Sequence, residues 1–161
     1  MRWLLLVSLL FLGTLSYAAE PEMKPMDDAP IAVDFTLQAT DKTTFSLSDY
    51  KGKFVLVNFW AHWCGPCVKE FPAMENLYQS LKQDNFEIVA IHVGPAQGRV
   101  KPFLEKQQVN FKVVVDPSMS VRGWDVPALP VTYLVSPEGK LIYKAIGPRE
   151  WNVEAMKALL Y

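Results

Sequence analysis

Two hydrophobic periodicities alternate along the chain. Residues 54–60, Phe-Val-Leu-Val-Asn-Phe-Trp, form a nearly unbroken apolar and β-branched run, the pattern of a strand covered on both faces. Directly after it, Phe71, Met74, Tyr78 and Leu81 recur at helical spacing. Residues 67–83 are therefore predicted as a helix with one buried face, kinked by Pro72. The alternation continues with buried strands at 86–93 and 111–115, the second ended by Asp116-Pro117, and between them a helix at 100–108 with Phe103 and Leu104 inward. Residues 131–135 form a strand, 136–139 a turn and 140–146 its antiparallel partner. Gly147-Pro148 opens a last helix with Val153, Met156 and Leu160 on one face. Upstream, 31–37 and 44–47 are short strand-like runs split by the turn-like Thr40-Asp41-Lys42, and 49–53 is a turn. Strands alternating with helices, closed by a hairpin and a helix, predict an α/β layered domain. No internal repeat or low-complexity tract interrupts it.

The start of the chain has a different grammar. Met1-Arg2 precedes an apolar run over 3–12 broken only by Ser8, and Ser16 and Ala18 stand where a signal peptidase requires small residues. Residues 1–18 are expected to be a secretory signal cut after Ala18, with Ala19 the alternative site. The rival is an uncleaved membrane anchor, since residues 3–19 reach the lower limit for spanning a bilayer. Residues 19–30 are acidic and Pro-rich and are expected to be a linker, leaving 31–161 as the folded domain. No cysteine lies near the leader, which excludes lipid attachment to one there. The 161 residues, 50% of them apolar with a net charge of −1, suit one domain able to hold a core without a disulfide framework. That balance excludes wholesale disorder and a strongly basic nucleic-acid binder.

The two cysteines carry the chemistry. Cys64-Gly65-Pro66-Cys67 sits where a buried strand turns into a helix. A sulfur at a helix N-terminus meets unpaired N–H groups and the positive end of the dipole, so its thiolate is stabilised. Cys67, three residues on, is close enough to form a disulfide with Cys64. A purely structural disulfide over so short a loop adds only about 2 kcal/mol. A structural zinc site wants four ligands, and there is no second cysteine pair. His62 and His92 lie near the ends of neighbouring predicted strands and could complete a Cys₂His₂ set, but the spacing fits no usual zinc pattern. Dithiol redox chemistry is the stronger reading.

The segment Phe59-Trp60-Ala61-His62-Trp63-Cys64-Gly65-Pro66-Cys67 closely resembles the active-site segment of thioredoxin, and Pro72 and Leu129-Pro130 fall where that family has its helix proline and cis-proline loop. The resemblance spans about 31–160 and implies a thioredoxin fold, a central mixed β-sheet flanked by helices, with extra N-terminal strands. Together with the export signal, the extra N-terminal strands and the Cys-Val-Lys-Glu-Phe-Pro stretch, the chain is similar to the TlpA/ResA/CcmG group of periplasmic or membrane-tethered thiol–disulfide reductases. The resemblance implies that Cys64 is the exposed nucleophile and Cys67 the buried resolving thiol. It places Trp63 over the active-site surface with Trp60 packed beneath. It also offers the Leu129 backbone, before cis-Pro130, for pairing with an extended client segment. Asn58 stands where thioredoxin has a buried Asp. Glu70, three residues beyond Cys67, falls where ResA-type proteins carry a functional glutamate. Glu70 is expected to be partly desolvated, with a raised pKa, exchanging a proton with Cys67; the alternative is a solvated surface residue paired with Lys69. His62 is expected to be an exposed loop histidine of little influence; the alternative is that His62⁺ lowers the pKa of Cys64. His92 is expected to be packed or hydrogen-bonded.

The implied partners are client proteins bearing cysteines or disulfides, such as apocytochrome c before haem attachment, and a membrane electron donor of the DsbD or CcdA type. No nucleic acid is implied, and no cofactor beyond the Cys64–Cys67 disulfide. Three competing functions remain. A disulfide-forming oxidase on the same fold is disfavoured by the Gly-Pro dipeptide. A peroxidase is disfavoured because residues 57–64 lack the Pro and Thr of a Pro-x-x-x-Thr-x-x-Cys context. A copper-handling protein would use Cys64, Cys67 and a histidine.

Overall fold

A computed structural model describes residues 23–96 and 98–161; the expected signal or anchor at 1–18 lies outside them. Among the described residues, eight strands, β1 (Lys24–Pro25), β2 (Thr36–Ala39), β3 (Thr44–Ser46), β4 (Phe54–Trp60), β5 (Phe86–Val93), β6 (Lys112–Asp116), β7 (Val131–Val135) and β8 (Leu141–Ile146), form one mixed sheet in the order β1-β8-β7-β4-β5-β6-β2-β3. Its centre is β4, parallel to β5, which is parallel in turn to β6. On the other side β4 pairs antiparallel with β7, the first strand of a hairpin with β8. The helices are α1 (Gly65–Leu81), α2 (Val100–Gln107) and α3 (Val153–Leu160).

The alternation of β4 divides the core in two. Leu56 and Trp60 face a layer supplied by all three helices, including Phe71, Met74 and Leu77 of α1 and Met156 of α3. Val55, Val57 and Phe59 face the opposite layer, built from Phe35, Leu37 and Phe45 of the N-terminal part together with Trp124 and Tyr133. Both faces of β4 are dry, as its unbroken apolar run requires, but only one is covered by helices. Between Leu56 and Trp60, Asn58 is also buried and donates to Thr132 Oγ1 at 2.9 Å, so this polar side chain is satisfied from the neighbouring strand.

The N-terminal strands differ from expectation for local reasons. β2 is Thr36–Ala39 and β3 is Thr44–Ser46, so only the end of the predicted 31–37 run is strand. The Asp34 carboxylate accepts the amides of Phe35 and Ser48, bonds that compete with a strand ladder. Leu47 leaves the sheet in a 3₁₀ turn (Leu47–Tyr50), where Asp49 Oδ2 accepts the Ser46 amide at 3.0 Å. Residues 19–30 are not a free spacer from residue 23 onward. Met23 is buried, and β1 (Lys24–Pro25) pairs with Lys144 and Tyr143 of β8. Pro25 is tolerated because it lies on the outermost strand, where a missing N–H costs no ladder bond. The last helix begins at Val153 rather than at Gly147-Pro148. Trp151 is buried, the Arg149 amide is engaged elsewhere, and Asn152 caps the helix by accepting the Ala155 amide at 2.9 Å. α1 starts two residues earlier than expected and runs continuously through Pro72.

Candidate functional site

At the end of β4 the chain makes one tight turn, with the Cys64 amide donating to the Ala61 carbonyl at 3.0 Å, and enters α1. Cys64 is the N-cap of that helix. Its Sγ is joined to Cys67 Sγ at 2.01 Å and also accepts the Cys67 amide at 3.3 Å. The sulfur thus occupies the place a Ser or Asp oxygen takes in an ordinary N-cap. Reduction would leave a thiolate on an acceptor site already supplied with an N–H and the helix dipole. Exposure separates the two sulfur-bearing residues: Cys64 retains 7% and Cys67 1%. An incoming nucleophile or disulfide meets Cys64 first.

Cys64 opens onto a groove of about 620 Å³ lined by Trp63, Met119, Trp124, Val126 and Leu129 among others. Trp63 and Met119 are exposed although large and apolar. Trp60 is sealed beneath, against Phe71, Phe103 and the His92 ring. The Leu129–Pro130 bond is cis, and the Pro130 carbonyl accepts the Gly147 amide. The sequence-predicted residues Trp63, Cys64 and Leu129 are therefore on one surface, with Pro130 directly behind Leu129.

Glu70 lies on the buried side of α1, 4% exposed, one turn beyond Cys67. Its Oε1 accepts the backbone amide of Arg149 at 2.8 Å. Arg149 is itself buried, its guanidinium 5.3 Å from the Trp151 ring centre. This excludes the solvated pairing with exposed Lys69 and places a carboxylate in the interior on the same helical face as the resolving sulfur. The sequence gives no signal for Arg149, which is 79 residues away.

His62 is not the exposed loop residue expected from the sequence; it is part-buried. Its Nδ1 lies 2.9 Å from Nε2 of His92, the rings are inclined by only 13°, and their centroids are 5.1 Å apart. The centroid separation exceeds the nitrogen separation by about two ring radii, so the imidazoles lie end to end in nearly one plane, nitrogen facing nitrogen. His92 is fully buried. Burial, and secondly the neighbouring charge of His62, push its pKa down from 6.5 to about 4, with the backbone of His92 and Gly94 opposing. Two ring nitrogens that face each other at 2.9 Å do not converge on a common metal. Among the described residues no group of three or more His, Cys, Asp or Glu could hold one.

The AhpC/TSA family model matches residues 27–144. The chain is 42% identical over 132 residues to the thiol-disulfide oxidoreductase ResA of Bacillus subtilis (strain 168), a match covering 81% of this chain and 72% of that protein. Among solved structures it resembles a DsbE-type thiol:disulfide interchange protein of Chlorobium tepidum, with a TM-score of 0.74, 30% identity and coverage of 85% of this chain and 95% of that one. The thioredoxin domain of a thiol-disulfide oxidoreductase from Bacteroides vulgatus superposes with a TM-score of 0.74 at 25% identity, covering 83% and 97% of the two chains.

Proposed function

The chain belongs to the thioredoxin-like AhpC/TSA family, among its thiol–disulfide oxidoreductases, and on that premise we propose that it works outside the cytosol as a reductant of client protein disulfides. The observation that carries the reading is the Cys64 sulfur at the N-cap of α1, the more exposed half of a disulfide whose other half is sealed.

In the reduced enzyme the Cys64 thiolate attacks one sulfur of a client disulfide. A Cys64–client bond forms and the client's other sulfur leaves as a thiolate. Cys67, once deprotonated, attacks Cys64 Sγ, expels the second client thiol and closes the Cys64–Cys67 bond. Two electrons have then passed to the client. Trp63, Leu129 and Pro130 form the surface on which the client's extended segment lies. Glu70, buried one turn from Cys67, takes the Cys67 proton, and His62 tunes Cys64. An exported reductant must be recharged, since its surroundings are kept oxidising; a membrane donor of the DsbD or CcdA type supplies two electrons and two protons. Clients that need reduced cysteines, apocytochrome c before haem attachment among them, fit this role. The leader at 1–18 supports export, either cut or kept as a membrane tether.

The direction of electron flow is tested by equilibrating the protein with glutathione buffers. A reduction potential below about −200 mV supports a reductant, and one well above it makes the protein a disulfide-forming oxidase. Glu70→Gln keeps an acceptor for the Arg149 amide and loses the proton site. We expect release of client from the mixed disulfide to slow by about tenfold or more. Unchanged thiol titration and unchanged exchange rate would remove Glu70 from the mechanism.

A further inference from the structure

The histidine pair asks for an assignment that the dithiol chemistry does not supply. A 2.9 Å separation between two ring nitrogens requires one proton between them, with one ring donating and the other accepting. The surroundings decide which. His92 is fully buried, and β4 presents Trp60, whose ring stands edge-on to it at 5.1 Å. β6 presents Val115, its register partner. The nearby acids are committed elsewhere. Glu70 on α1 accepts the Arg149 amide. Asp116 on β6 pairs with Val93, so it faces the other side of the sheet, where Ser120 and Val121 donate to it. Lys101, Glu105 and Lys106 of α2 are exposed. Among the described residues no hydrogen bond or ion pair joins a carboxylate to His92, and of the two rings only His62 is part-exposed.

If His92 donated from Nε2, a second proton arriving at His62 would have to break the bond or settle on the same side. If His62 donates from Nδ1, the bond survives whether His62 is neutral or charged, because the second proton enters at Nε2. His92 then carries its own hydrogen on Nδ1, a buried atom with no hydrogen-bond partner among the described residues, and leaves Nε2 bare to accept. We infer that His92 is a positioning residue that accepts the Nδ1–H of His62, so that His62 gains and releases its second proton only at Nε2 and carries the charge at a fixed place in the turn leading to Cys64. The tautomer is a property of the pair alone. Its influence on Cys64 rests on Cys64 being the attacking thiol.

The two parts are read separately. Long-range ¹H–¹⁵N histidine spectra of the oxidised protein near neutral pH should show His62 protonated at Nδ1; a His62 protonated at Nε2 overturns the inference with no variant needed. His92→Gln places a side-chain carbonyl near the lost nitrogen and should keep that tautomer. His92→Leu removes the acceptor and should release His62 to the Nε2–H form, so an unchanged tautomer in His92→Leu contradicts a positioning role. In the reduced proteins, the pH midpoint for alkylation of Cys64 should rise by about half a unit or more in His92→Leu and return in His92→Gln. Identical profiles in all three would overturn the link to Cys64. A Cys64 that fails to alkylate preferentially even in the parent protein would instead count against the proposed function, leaving the tautomer to the spectra.

Discussion

Cys64→Ser should abolish disulfide exchange, lowering insulin reduction by on the order of 10³-fold or more, as loss of a covalent nucleophile does. The asymmetry of the site makes the companion variant behave differently. Cys67 is the sealed half of the disulfide, so Cys67→Ser retains the attacking sulfur and its N-cap environment but lacks the thiol that frees the client. It should accumulate mixed disulfides through Cys64, separable on non-reducing gels and released by dithiothreitol. Equal residual turnover in both variants would mean that the two sulfurs are interchangeable, against the difference in their burial. The covalent adduct also identifies clients directly when the Cys67→Ser form is expressed in an export-competent host.

The second large effect is on stability. His92 has a folded pKa of about 4 against 6.5 for the free side chain. Because the folded value is depressed, the unfolded chain binds more protons between these limits. The stabilisation is complete above about pH 6.5 and is lost as the pH falls through 4. By linkage the loss amounts to about 3 kcal/mol at the acid end of that window. Urea unfolding of the wild type at a series of pH values should show this decline, and His92→Gln, which cannot titrate, should lack that part of it. Asp41, held down to about 2 by its bonds to Thr43, responds below the window and is common to both proteins. A wild type and a His92→Gln variant with parallel pH profiles would show that the burial of His92 costs nothing on protonation.

How far the sequence reaches can be judged from particular elements. β4, β5 and β7 end where their predominantly apolar runs end, because strands dry on both faces keep even their few polar residues, such as Asn58, His92 and Thr132, buried within the run. The Cys64–Cys67 disulfide, the cis Leu129–Pro130 bond and the buried Trp60 were each legible, from spacing or from resemblance. What was not legible depends on contacts made across the chain. The Glu70–Arg149 bond joins α1 to the segment before α3, and that contact, with the burial of Trp151, delays α3 to Val153. Residues 31–35 look like a strand by composition, yet the Asp34 carboxylate takes the local amides. The end-to-end alignment of His62 and His92 follows from the register Trp60↔His92 between β4 and β5. Two strand ends can be predicted as neighbours, but that register cannot be read from either alone.

The N-cap placement of the Cys64 sulfur makes a quantitative demand. The fully reduced protein, alkylated with iodoacetamide across a pH series and quenched for peptide mass spectrometry, should modify Cys64 with a midpoint clearly below the free-thiol value of about 8.5. Cys67 should remain largely unmodified while the protein stays folded. Two thiols reacting at the same slow rate near neutrality would contradict the account, since neither would then be held as an anion at the head of α1.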